Sequence, residues 1–538
     1  MYQVKLSESY FPAQPGKTLL DSSIGAELSR AAADSGERVA LVEMLESGEL
    51  NRQWTYSELY EAALKLACHL SFKYDKGTRI AVCAHNIPEW IILEYASALA
   101  GLVLVTVNPS FQTSEVRYVI EQSGSVALYI VDEVRGNPVA KIAKQVQAET
   151  PCLEDIVDMR DELAFFGEQR LAVEGLPEVA PQDPVQIQYT SGTTGFPKGV
   201  VLHHHGILNN AVLLSERLRV DENDTYLNMM PMFHTAGCGM GALCPLVSRG
   251  RLVLAALFNP TTINAILESE DISYFLAVPT MLVGLLEDLA KTPRTHHVKA
   301  IMSGASMVAP TLVEAAEHQW QCAVQVVYGQ TETSPVITQT WHDDTPEDLS
   351  RTVGQPYPWT EISIIDNETG NYTAVDQVGE ICARGYCLMH EYNDNPEATA
   401  ATIDANGWLH TGDLGAIDER GYVKVTGRLK EMIIRGGENL FPVEIENAML
   451  NHPSLAEIAV VGVPDDKWGE QACCFIRLEE GADALSAEQL KDYVRTILSP
   501  QKTPNYWVYV SEWPLTASGK IQKFKLREQF EQGLHAPV

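Results

Sequence analysis

The sequence predicts a multi-domain α/β protein, with a large N-terminal domain that includes a β-rich subdomain and a small mobile α+β C-terminal domain. A chain of 538 residues is too long for one hydrophobic core. Over roughly its first 330 residues, short apolar runs alternate with helical patterns, which is typical of α/β layers. From about residue 360, short strand patterns separated by Gly and Asp turns indicate an antiparallel β region.

Helix and strand signals in the first part of the chain alternate in order. A helix is predicted after the cap-like Thr55, and another from Pro88 to Ala100. Buried strands are predicted at residues 79–83, 101–106, 127–131, 251–254, 274–278 and 324–328. Strands of the β-rich region are predicted at residues 379–383 and 421–425.

The last hundred or so residues show a compact α+β pattern of their own. Pro442 is placed to begin a helix, and Ser486 with Gln489 forms a capping box that opens a second one. Strands are predicted between them at residues 458–462 and 473–478. We therefore divide the chain into domains at residues 1–429 and 430–538.

The charge of the chain excludes some partners. With 39 Lys and Arg against 71 Asp and Glu, the formal net charge is −32, which repels nucleic acid and anionic membrane surfaces. No apolar run approaches the roughly 18 residues that span a bilayer, so no integral membrane association is expected. The ten cysteines show neither zinc-knuckle nor disulfide spacing, and no targeting signal stands at either end, so we expect a cytoplasmic protein.

Residues 189–199, Tyr-Thr-Ser-Gly-Thr-Thr-Gly-Phe-Pro-Lys-Gly, are the clearest functional signal. They follow a strand pattern at residues 185–189 and precede a helix-like segment. Small residues let the backbone approach an anion, hydroxyls and amides donate to phosphate oxygens, and Lys198 adds a charge. A nucleotide P-loop needs Ser or Thr after its Lys, whereas Gly199 stands here. The run predicts a phosphate site of another kind, with a plain surface turn as the alternative.

Further segments follow this loop at residues 303–306 (Ser-Gly-Ala-Ser), 328–332 (Tyr-Gly-Gln-Thr-Glu), 408–413 (Trp-Leu-His-Thr-Gly-Asp) and 514–520 (Pro-Leu-Thr-Ala-Ser-Gly-Lys). In this order and spacing they resemble the adenylate-forming superfamily, which holds acyl-CoA synthetases, firefly luciferase and the adenylation domains of peptide synthetases. The resemblance covers nearly the whole chain. It implies an AMP-forming carboxylate–CoA ligase that uses ATP, Mg²⁺ and coenzyme A: the acid and ATP give acyl-AMP and pyrophosphate, and CoA then gives acyl-CoA and AMP.

The resemblance also implies roles for individual nucleotide-site residues. Tyr328 would stack on adenine, Thr331 would meet the α-phosphate, and Glu332 would hold Mg²⁺, as suits a flat ring, a hydroxyl and a hard carboxylate. Asp413 would accept from the ribose hydroxyls, and Arg428 would approach the sugar or the phosphate. The full set of predicted ATP- and AMP-binding residues is Thr190, Ser191, Gly192, Thr193, Thr194, Lys198, Gly304, Ala305, Ser306, Tyr328, Gly329, Gln330, Thr331, Asp413 and Arg428.

The C-terminal domain is expected to supply a catalytic lysine and the CoA site. Lys520 matches the family's lysine that stabilises negative charge on the phosphoryl oxygens. The alternative, a solvated basic face, fits its neighbours Lys523 and Lys525 well. Lys430 matches the hinge position on which the domain turns between half-reactions. The residues expected along the CoA tunnel are Arg435, Gly436 and Gly437.

The segment 231–235, Pro-Met-Phe-His-Thr, resembles the border between the ATP site and the acyl pocket. His234 would approach the carboxylate of the acid, the alternative being a core histidine bonded to backbone. No carboxylate stands nearby to pair with an α-ammonium, so an amino acid substrate is disfavoured. The predicted acyl-pocket residues, which are mostly small or apolar, are His234, Thr235, Gly239, Met240, Ser303, Val327, Gly329 and Ser334.

The predicted substrate is a medium-chain fatty acid or an aryl or substituted propionic monocarboxylic acid, because that pocket offers no cation for a second carboxylate. The predicted catalytic residues are Lys520, Thr331, Glu332 and His234. The three histidines at 203–205 are not expected to chelate a metal, since consecutive helix residues point in different directions.

Two alternatives stay open: an acyl-adenylate enzyme with a carrier-protein thiol or oxygen as acceptor, and a non-catalytic nucleotide-binding homologue. The expected partners are small molecules, and a homodimer is left open.

Overall fold

The computed structural model describes residues 1–167, 175–190, 197–304, 308–436, 438–465, 467–516 and 519–538. Within these residues the chain forms four β-sheets with helices packed around them. The three sheets of the first 428 residues surround one large hydrophobic core, and the fourth sheet has hydrophobic clusters of its own. The predicted multi-domain α/β architecture is confirmed.

Two sheets with a parallel centre form the bulk of the first part. The nine-stranded sheet has, in spatial order, β16 (Gln355–Pro356), β15 (Val336–Gln339), β14 (Ala323–Gly329), β13 (Ala300–Gly304), β12 (Tyr274–Leu276), β10 (Thr225–Asn228), β11 (Arg251–Ala255), β2 (Val39–Met44) and β3 (Leu50–Thr55). The seven-stranded sheet has β19 (Glu391–Tyr392), β9 (Lys198–His203), β8 (Pro184–Thr190), β5 (Val103–Thr106), β4 (Arg79–Cys83), β6 (Ala127–Ile130) and β7 (Asp155–Asp158). Antiparallel strands are confined to the edges of both sheets.

Two five-stranded sheets follow along the chain. The antiparallel one contains β1 (Tyr10–Phe11), β17 (Thr360–Ile365), β18 (Gly379–Gly385), β20 (Leu409–Ile417) and β21 (Val423–Arg428), which confirms the predicted β-rich region. The C-terminal sheet contains β22 (Ile433–Arg435), β23 (Glu438–Leu440), β24 (Leu455–Asp465), β25 (Gly469–Leu478) and β26 (Tyr506–Tyr509).

The helices begin at the caps that the sequence indicates. Thr55 closes a capping box with Glu58, Ser486 closes one with Gln489, and prolines open the helices at residues 88 and 442. The α-helices are α1 (Ile24–Ser35), α2 (Tyr56–Lys73), α3 (Pro88–Ala100), α4 (Thr113–Ser123), α5 (Val139–Glu149), α6 (Glu162–Phe166), α7 (His204–Leu218), α8 (Leu243–Ser248), α9 (Pro260–Ser269), α10 (Pro279–Lys291), α11 (Pro310–Trp320), α12 (Pro346–Arg351), α13 (Pro396–Thr402), α14 (Pro442–Leu450), α15 (Ala487–Ile497) and α16 (Lys523–Glu531). No helix in the described ranges is both long and apolar enough to cross a membrane.

One local prediction was wrong. The segment after the phosphate-loop sequence is not a helix but β9, which pairs antiparallel with β8 and closes the base of the loop through the pair Thr190 and Lys198. The apolar run 200–202 is buried between β8 and β19, and this pairing favours a strand. Helix α7 begins only at His204.

The fold brings the predicted site residues to one edge of the nine-stranded sheet. The parallel neighbours β13 and β14 end at Gly304 and Gly329, and β10 leads through Asn228 towards His234. Ligands of open α/β sheets bind outside the carboxyl ends of such strands. Gly329 is needed there for close packing, because a Cβ at this position would lie 2.0 Å from the carbonyl oxygen of Pro335.

A buried arginine fastens α7 to this sheet. The guanidinium of Arg217 donates to the carbonyl oxygens of Gln339, Gln355 and Pro356 at 2.8–2.9 Å, and lies 3.9 Å from the ring centroid of Trp341. Its burial lowers its pKa. Three carbonyl groups therefore accept from one side chain.

We predict that Arg217→Leu lowers the free energy of unfolding by about 3 kcal/mol, because it removes a buried guanidinium that donates to three carbonyls. Urea unfolding followed by tryptophan fluorescence measures the change. The matched control is Arg79→Leu, which removes a half-exposed guanidinium that donates to the carbonyl of Ser123. The control is expected to cost about 1 kcal/mol or less, and equal losses in both variants would contradict the assigned role of Arg217.

Candidate active site

The cross-strand pair of Asp413 and Arg428 forms one wall of the site. These residues stand opposite each other on β20 and β21, and the guanidinium Nε lies 3.0 Å from Asp413 Oδ1. The hydroxyl of Tyr328, at the end of β14, donates to Asp413 Oδ2 at 3.0 Å. Burial raises the pKa of Asp413, and Arg428 opposes that shift. Two of the segments predicted to bind the nucleoside thus meet in space.

Lys520 enters the site on a tight turn of the C-terminal part. The backbone amide of Lys520 donates to the hydroxyl of Thr516 at 3.0 Å. The backbone amide of Thr516 donates to the carbonyl of Lys520 at 2.7 Å. The left-handed Gly519 lets the turn close, and its carbonyl accepts from the Thr280 hydroxyl at 2.9 Å. This bond holds the turn against the first residues of α10.

The charge environment of Lys520 distinguishes it from an ordinary surface lysine. Burial, followed by the positive charge of Arg428, lowers its pKa to about 8, whereas the carboxylates of Asp413 and Glu332 act to raise it. Two acids and one guanidinium from the first part of the chain therefore face this ammonium. The alternative prediction of a solvated basic face does not describe Lys520.

The charge of Lys520 also acts on His234. Burial, and then the charge of Lys520, lowers its pKa to about 3, so the ring is neutral at pH 7. Its Nδ1 accepts from the backbone amide of Ala236 at 3.1 Å, so the proton of the neutral ring stands on Nε2. His234 consequently offers a neutral Nε2–H donor. It precedes a π-helix at Ala236–Ala242, a form that is frequent at functional sites.

The predicted Mg²⁺ ligand, Glu332, lies in a 3₁₀ turn at Thr331–Thr333 and is 8% exposed. The hydroxyl of Tyr392 donates to its Oε1 at 2.7 Å, and its backbone carbonyl accepts from the amide of Met389. One fixed carboxylate is a suitable donor for Mg²⁺, which binds through one or two carboxylates together with substrate phosphates and water. The donor set present fits the ion.

The phosphate loop itself is described only at its base. Thr190 and Lys198 pair there, and the ammonium of Lys198 lies 4.3 Å from the ring centroid of Tyr392. Gly304 ends β13, where a Cβ would lie 2.4 Å from the Val327 carbonyl oxygen. The predicted nucleotide-site residues that lie outside the described ranges are Ser191, Gly192, Thr193, Thr194, Ala305 and Ser306.

The predicted acyl-pocket residues divide into two groups. Thr235 and Met240 are buried in and beside the π-helix, and a Cβ at Gly239 would meet only the side chain of Ile207 and, more distantly, that of Thr235. The hydroxyls of Ser303 and Ser334 instead donate to the carbonyls of Ala277 and Cys387. Val327 is also buried. The buried hydroxyl of Thr235 has no hydrogen-bond partner in the described structure.

The predicted CoA residues Arg435 and Gly436 make hydrogen bonds to other residues of the C-terminal part of the chain. Arg435 donates to Gln471 and to the carbonyl of Gln501, and stacks 4.9 Å from the ring centroid of Trp468. The amide of Gly436 donates to the Trp468 carbonyl at 2.7 Å. Lys430 lies in a 3₁₀ turn at Leu429–Glu431 between β21 and β22. Gly437 lies outside the described residues.

Two histidine-containing groups have structural explanations. His203, the last residue of β9, caps α7, and its ring lies near that of His390 with a tilt of 33°, whereas the Nδ1 of His204 accepts from the amide of Ile24. The rings of His203 and His205 lie nearly parallel, 6.3 Å apart, so the predicted divergence holds for His204 and not for this pair. Glu380, Cys382 and His410 lie close enough to hold an ion. The Glu380 carboxylate already accepts from His410 Nδ1 at 2.8 Å and from the Gly412 amide at 3.0 Å. It thereby braces the turn that carries Asp413.

Sequence reasoning missed Tyr392, Thr280 and Glu380. Each acts through a residue that a motif did identify. Glu380 stands in a segment whose pattern predicted only a strand, and no pattern pointed to a functional role for any of the three. Tyr392 precedes an Asn-Asp-Asn-Pro turn that could have marked a strand end, but nothing in the sequence connects its hydroxyl to Glu332.

Comparison with known proteins places this geometry in a family. The model of the AMP-binding enzymes matches residues 28–393, and that of their C-terminal domain matches residues 444–520. The chain belongs to the AMP-binding enzyme family. The sequence-based assignment to the adenylate-forming superfamily is thus confirmed.

Full-length relatives and solved structures agree with this assignment. YngI of Bacillus subtilis is 35% identical over 95% of this chain and 97% of its own, and human medium-chain acyl-CoA ligase ACSF2, mitochondrial, is 34% identical over 98% and 90%. The crystal structure of ATP-bound MatB from Rhodopseudomonas palustris superposes with a TM-score of 0.84 at 26% identity, covering 95% of this chain and 99% of that one. This AMP-binding enzyme therefore shares its fold with a protein solved with ATP.

For this AMP-binding enzyme we predict that kcat/KM for pyrophosphate release falls as pH rises through about 8. The pKa of Lys520 is lowered to about 8, so its ammonium is present below that pH and is lost above it. Lys520→Arg keeps its charge to far higher pH. The residual activity of this variant should therefore show no such alkaline loss.

Pyrophosphate release measured from pH 6.5 to 9.5 with both proteins tests this prediction. Lys525→Arg, at an exposed neighbouring lysine, is the matched control and should follow the wild type. An identical alkaline fall in Lys520→Arg would assign the titration to another group.

Proposed function

We propose that this protein is an AMP-forming ligase that joins a medium-chain monocarboxylic acid to coenzyme A. The acid–thiol ligase class is confirmed by the family match and by relatives that are acyl-CoA ligases. The chain length of the acid and the use of Mg²⁺ and CoA are the parts that we propose. The chain length is supported by the name of the human relative, medium-chain acyl-CoA ligase, and by the small and apolar residues around the π-helix.

The observation that carries the mechanism is the position of Lys520 among Glu332, Asp413 and Arg428, beside His234. In our assignment the carboxylate of the acid accepts from His234 Nε2–H and is already ionised, so its attack needs no general base. The oxygen–phosphorus bond to the acid forms as the bond to pyrophosphate breaks. Lys520 stabilises the charge that accumulates on the α-phosphoryl oxygens.

Other residues position the nucleotide in this proposal. Asp413 accepts from the ribose, Tyr328 lies against the base, and Thr190, Lys198 and the loop between them hold the β- and γ-phosphates. Glu332 would hold Mg²⁺, which when bound neutralises phosphate charge. ATP use is supported by the family; Mg²⁺ and CoA are parts of the proposal that rest on the fit of these residues.

The second half-reaction requires the C-terminal domain to move. The CoA thiol loses its proton to water, its sulfur forms the thioester bond to the acyl carbon, and the bond from that carbon to the AMP oxygen breaks, so AMP leaves. We assign residues 1–429 and 430–538 as the two domains, Lys430 as the hinge, and Arg435, Gly436 and Gly437 as the CoA-facing segment. Movement would break the Thr280–Gly519 bond and the interdomain ion pairs Glu287–Arg477 at 3.3 Å and Lys291–Glu480 at 2.9 Å. The charged side chains of both ion pairs are partly exposed, so water can replace their partners after the movement.

A cytoplasmic location belongs to the proposal. It is supported by ten cysteines that are all free thiols in the structure, which suits a reducing compartment. Small molecules are the proposed partners, and the homodimer stays a prediction.

We predict that pyrophosphate release with straight-chain acids peaks between about C6 and C12 and falls for acetate and for C16. Each matched methylene contributes about 0.8 kcal/mol of burial until the pocket is full. A panel of C2–C16 acids, cinnamates, benzoates and substituted propionates measures the profile. A maximum on an aromatic acid would overturn the medium-chain assignment while leaving the ligase class intact.

The acceptor is tested with the best acid of that panel. Thioester formation on addition of CoA is expected to consume acyl-AMP in stoichiometric amounts. If acyl-AMP accumulates and CoA never consumes it, the acceptor is another thiol or oxygen; if no acid gives pyrophosphate, the chain is a non-catalytic relative.

We further predict that Lys520→Ala slows acyl-AMP formation by about 100-fold or more and largely preserves thioester formation from supplied acyl-AMP. The reason is that Lys520 stabilises phosphoryl charge that develops only in the first step. Rapid-quench assays of each half-reaction measure both rates, with Lys525→Ala as control. Equal losses in the two steps would contradict this role.

A further inference from the structure

We infer that Tyr392 is a positioning residue that fixes the carboxylate of Glu332 with its hydroxyl and the ammonium of Lys198 with its ring. The inference rests on the proposed nucleotide site, because it concerns two side chains assigned to the triphosphate. It assigns a function to a residue outside every motif that the sequence identified.

The hydroxyl contact is short and buried. Tyr392 is 5% exposed, and its hydroxyl donates to Glu332 Oε1 at 2.7 Å. A hydrogen bond to a charged acceptor is about twice as strong as a neutral one. It occupies one oxygen of the carboxylate and sets the direction of the other.

The ring contact concerns the phosphate loop. Lys198 Nζ lies 4.3 Å from the centroid of the Tyr392 ring, within the range of a cation–π interaction. One side chain therefore touches both the lysine at the base of the loop and the predicted Mg²⁺ ligand. Lys198 belongs to β9 of the seven-stranded sheet, whereas Glu332 lies in the turn that links β14 and β15 of the nine-stranded sheet, and Tyr392 contacts both.

The backbone around Tyr392 makes it a suitable support. Tyr392 pairs with Val200 across β19 and β9, and its amide donates to the Thr399 hydroxyl at 3.0 Å. The amide of Asn393 donates to the Gly199 carbonyl at 2.7 Å, and the amide of Met389 donates to the Glu332 carbonyl at 2.8 Å. The segment is thus bonded to both elements whose side chains it touches.

Two substitutions separate the two contacts. Tyr392→Phe removes the hydroxyl and keeps an aromatic face for Lys198, whereas Tyr392→Leu removes both. Tyr74→Phe is the matched control, because Tyr74 is 8% exposed and its hydroxyl donates to the carboxylate of Asp155 at 2.8 Å away from the site.

Calorimetric binding of ATP, first in EDTA and then over a Mg²⁺ series, is the primary measurement. For Tyr392→Phe we expect metal-free ATP affinity within about twofold of wild type and a Mg²⁺ requirement raised about tenfold, as is usual when a residue supporting a metal ligand is lost. For Tyr392→Leu we expect the same Mg²⁺ shift together with about two- to fivefold weaker metal-free binding. Tyr74→Phe should match wild type in both.

A double-mutant cycle tests the ring contact. If Lys198 acts through this ring, Tyr392→Leu should weaken metal-free binding less in a Lys198→Ala background than alone. Full additivity would overturn the ring contact, and a wild-type Mg²⁺ requirement in Tyr392→Phe would overturn the hydroxyl contact. We expect the same increase in Mg²⁺ requirement for Tyr392→Phe and for Tyr392→Leu. If one of these variants does not fold, the other therefore still tests the hydroxyl contact.

The outcomes also separate this inference from the proposed function. If wild type binds ATP and Tyr392→Phe shows an unchanged Mg²⁺ requirement, only this inference fails. If wild type binds no ATP with or without Mg²⁺, the proposed function fails and this inference fails with it.

Discussion

The site depends on one constraint: a lysine from near the C-terminus must be held, partly out of water, among charges supplied by the first part of the chain. Burial disfavours the ammonium of Lys520, and the carboxylates of Glu332 and Asp413 offset that cost. The Thr280–Gly519 bond fixes the turn that delivers it. The contact joins two parts of the chain whose hydrophobic clusters are separate.

Most other contacts of the site hold the carboxylates that face Lys520, those of Asp413 and Glu332, in position. Asp413 is held by Arg428 and Tyr328, and the turn before it is braced by Glu380. Glu332 is held by Tyr392. Buried carboxylates are tolerated only with partners of this kind. Lys520 and Arg428 supply positive charge in this region, which suits a reaction in which negative charge grows on phosphoryl oxygens.

Local signals predicted much of the fold. Pro88, Pro442 and the capping boxes at Thr55 and Ser486 act within a few residues, so their helices start where expected. The segment after the phosphate loop was misjudged, because β9 is stabilised by its pairing with β8 on one side and with the distant β19 on the other rather than by its own propensity. For the site, the motifs identified Asp413, Glu332 and Lys520. They did not identify Tyr392, Thr280 and Glu380, which hold the site in place, because those side-chain contacts cannot be read from the spacing of residues along the chain.

By itself the sequence determined the family, the ATP half of the chemistry and the division into a large and a small part, because these follow from short motifs and local periodicity. The tertiary structure decided which charges face Lys520, which tautomer His234 presents, and that Tyr392 joins Lys198 to Glu332. The physical reason is that pKa shifts and hydrogen-bond partners depend on burial and on distances of a few ångströms between residues separated by tens to hundreds of positions.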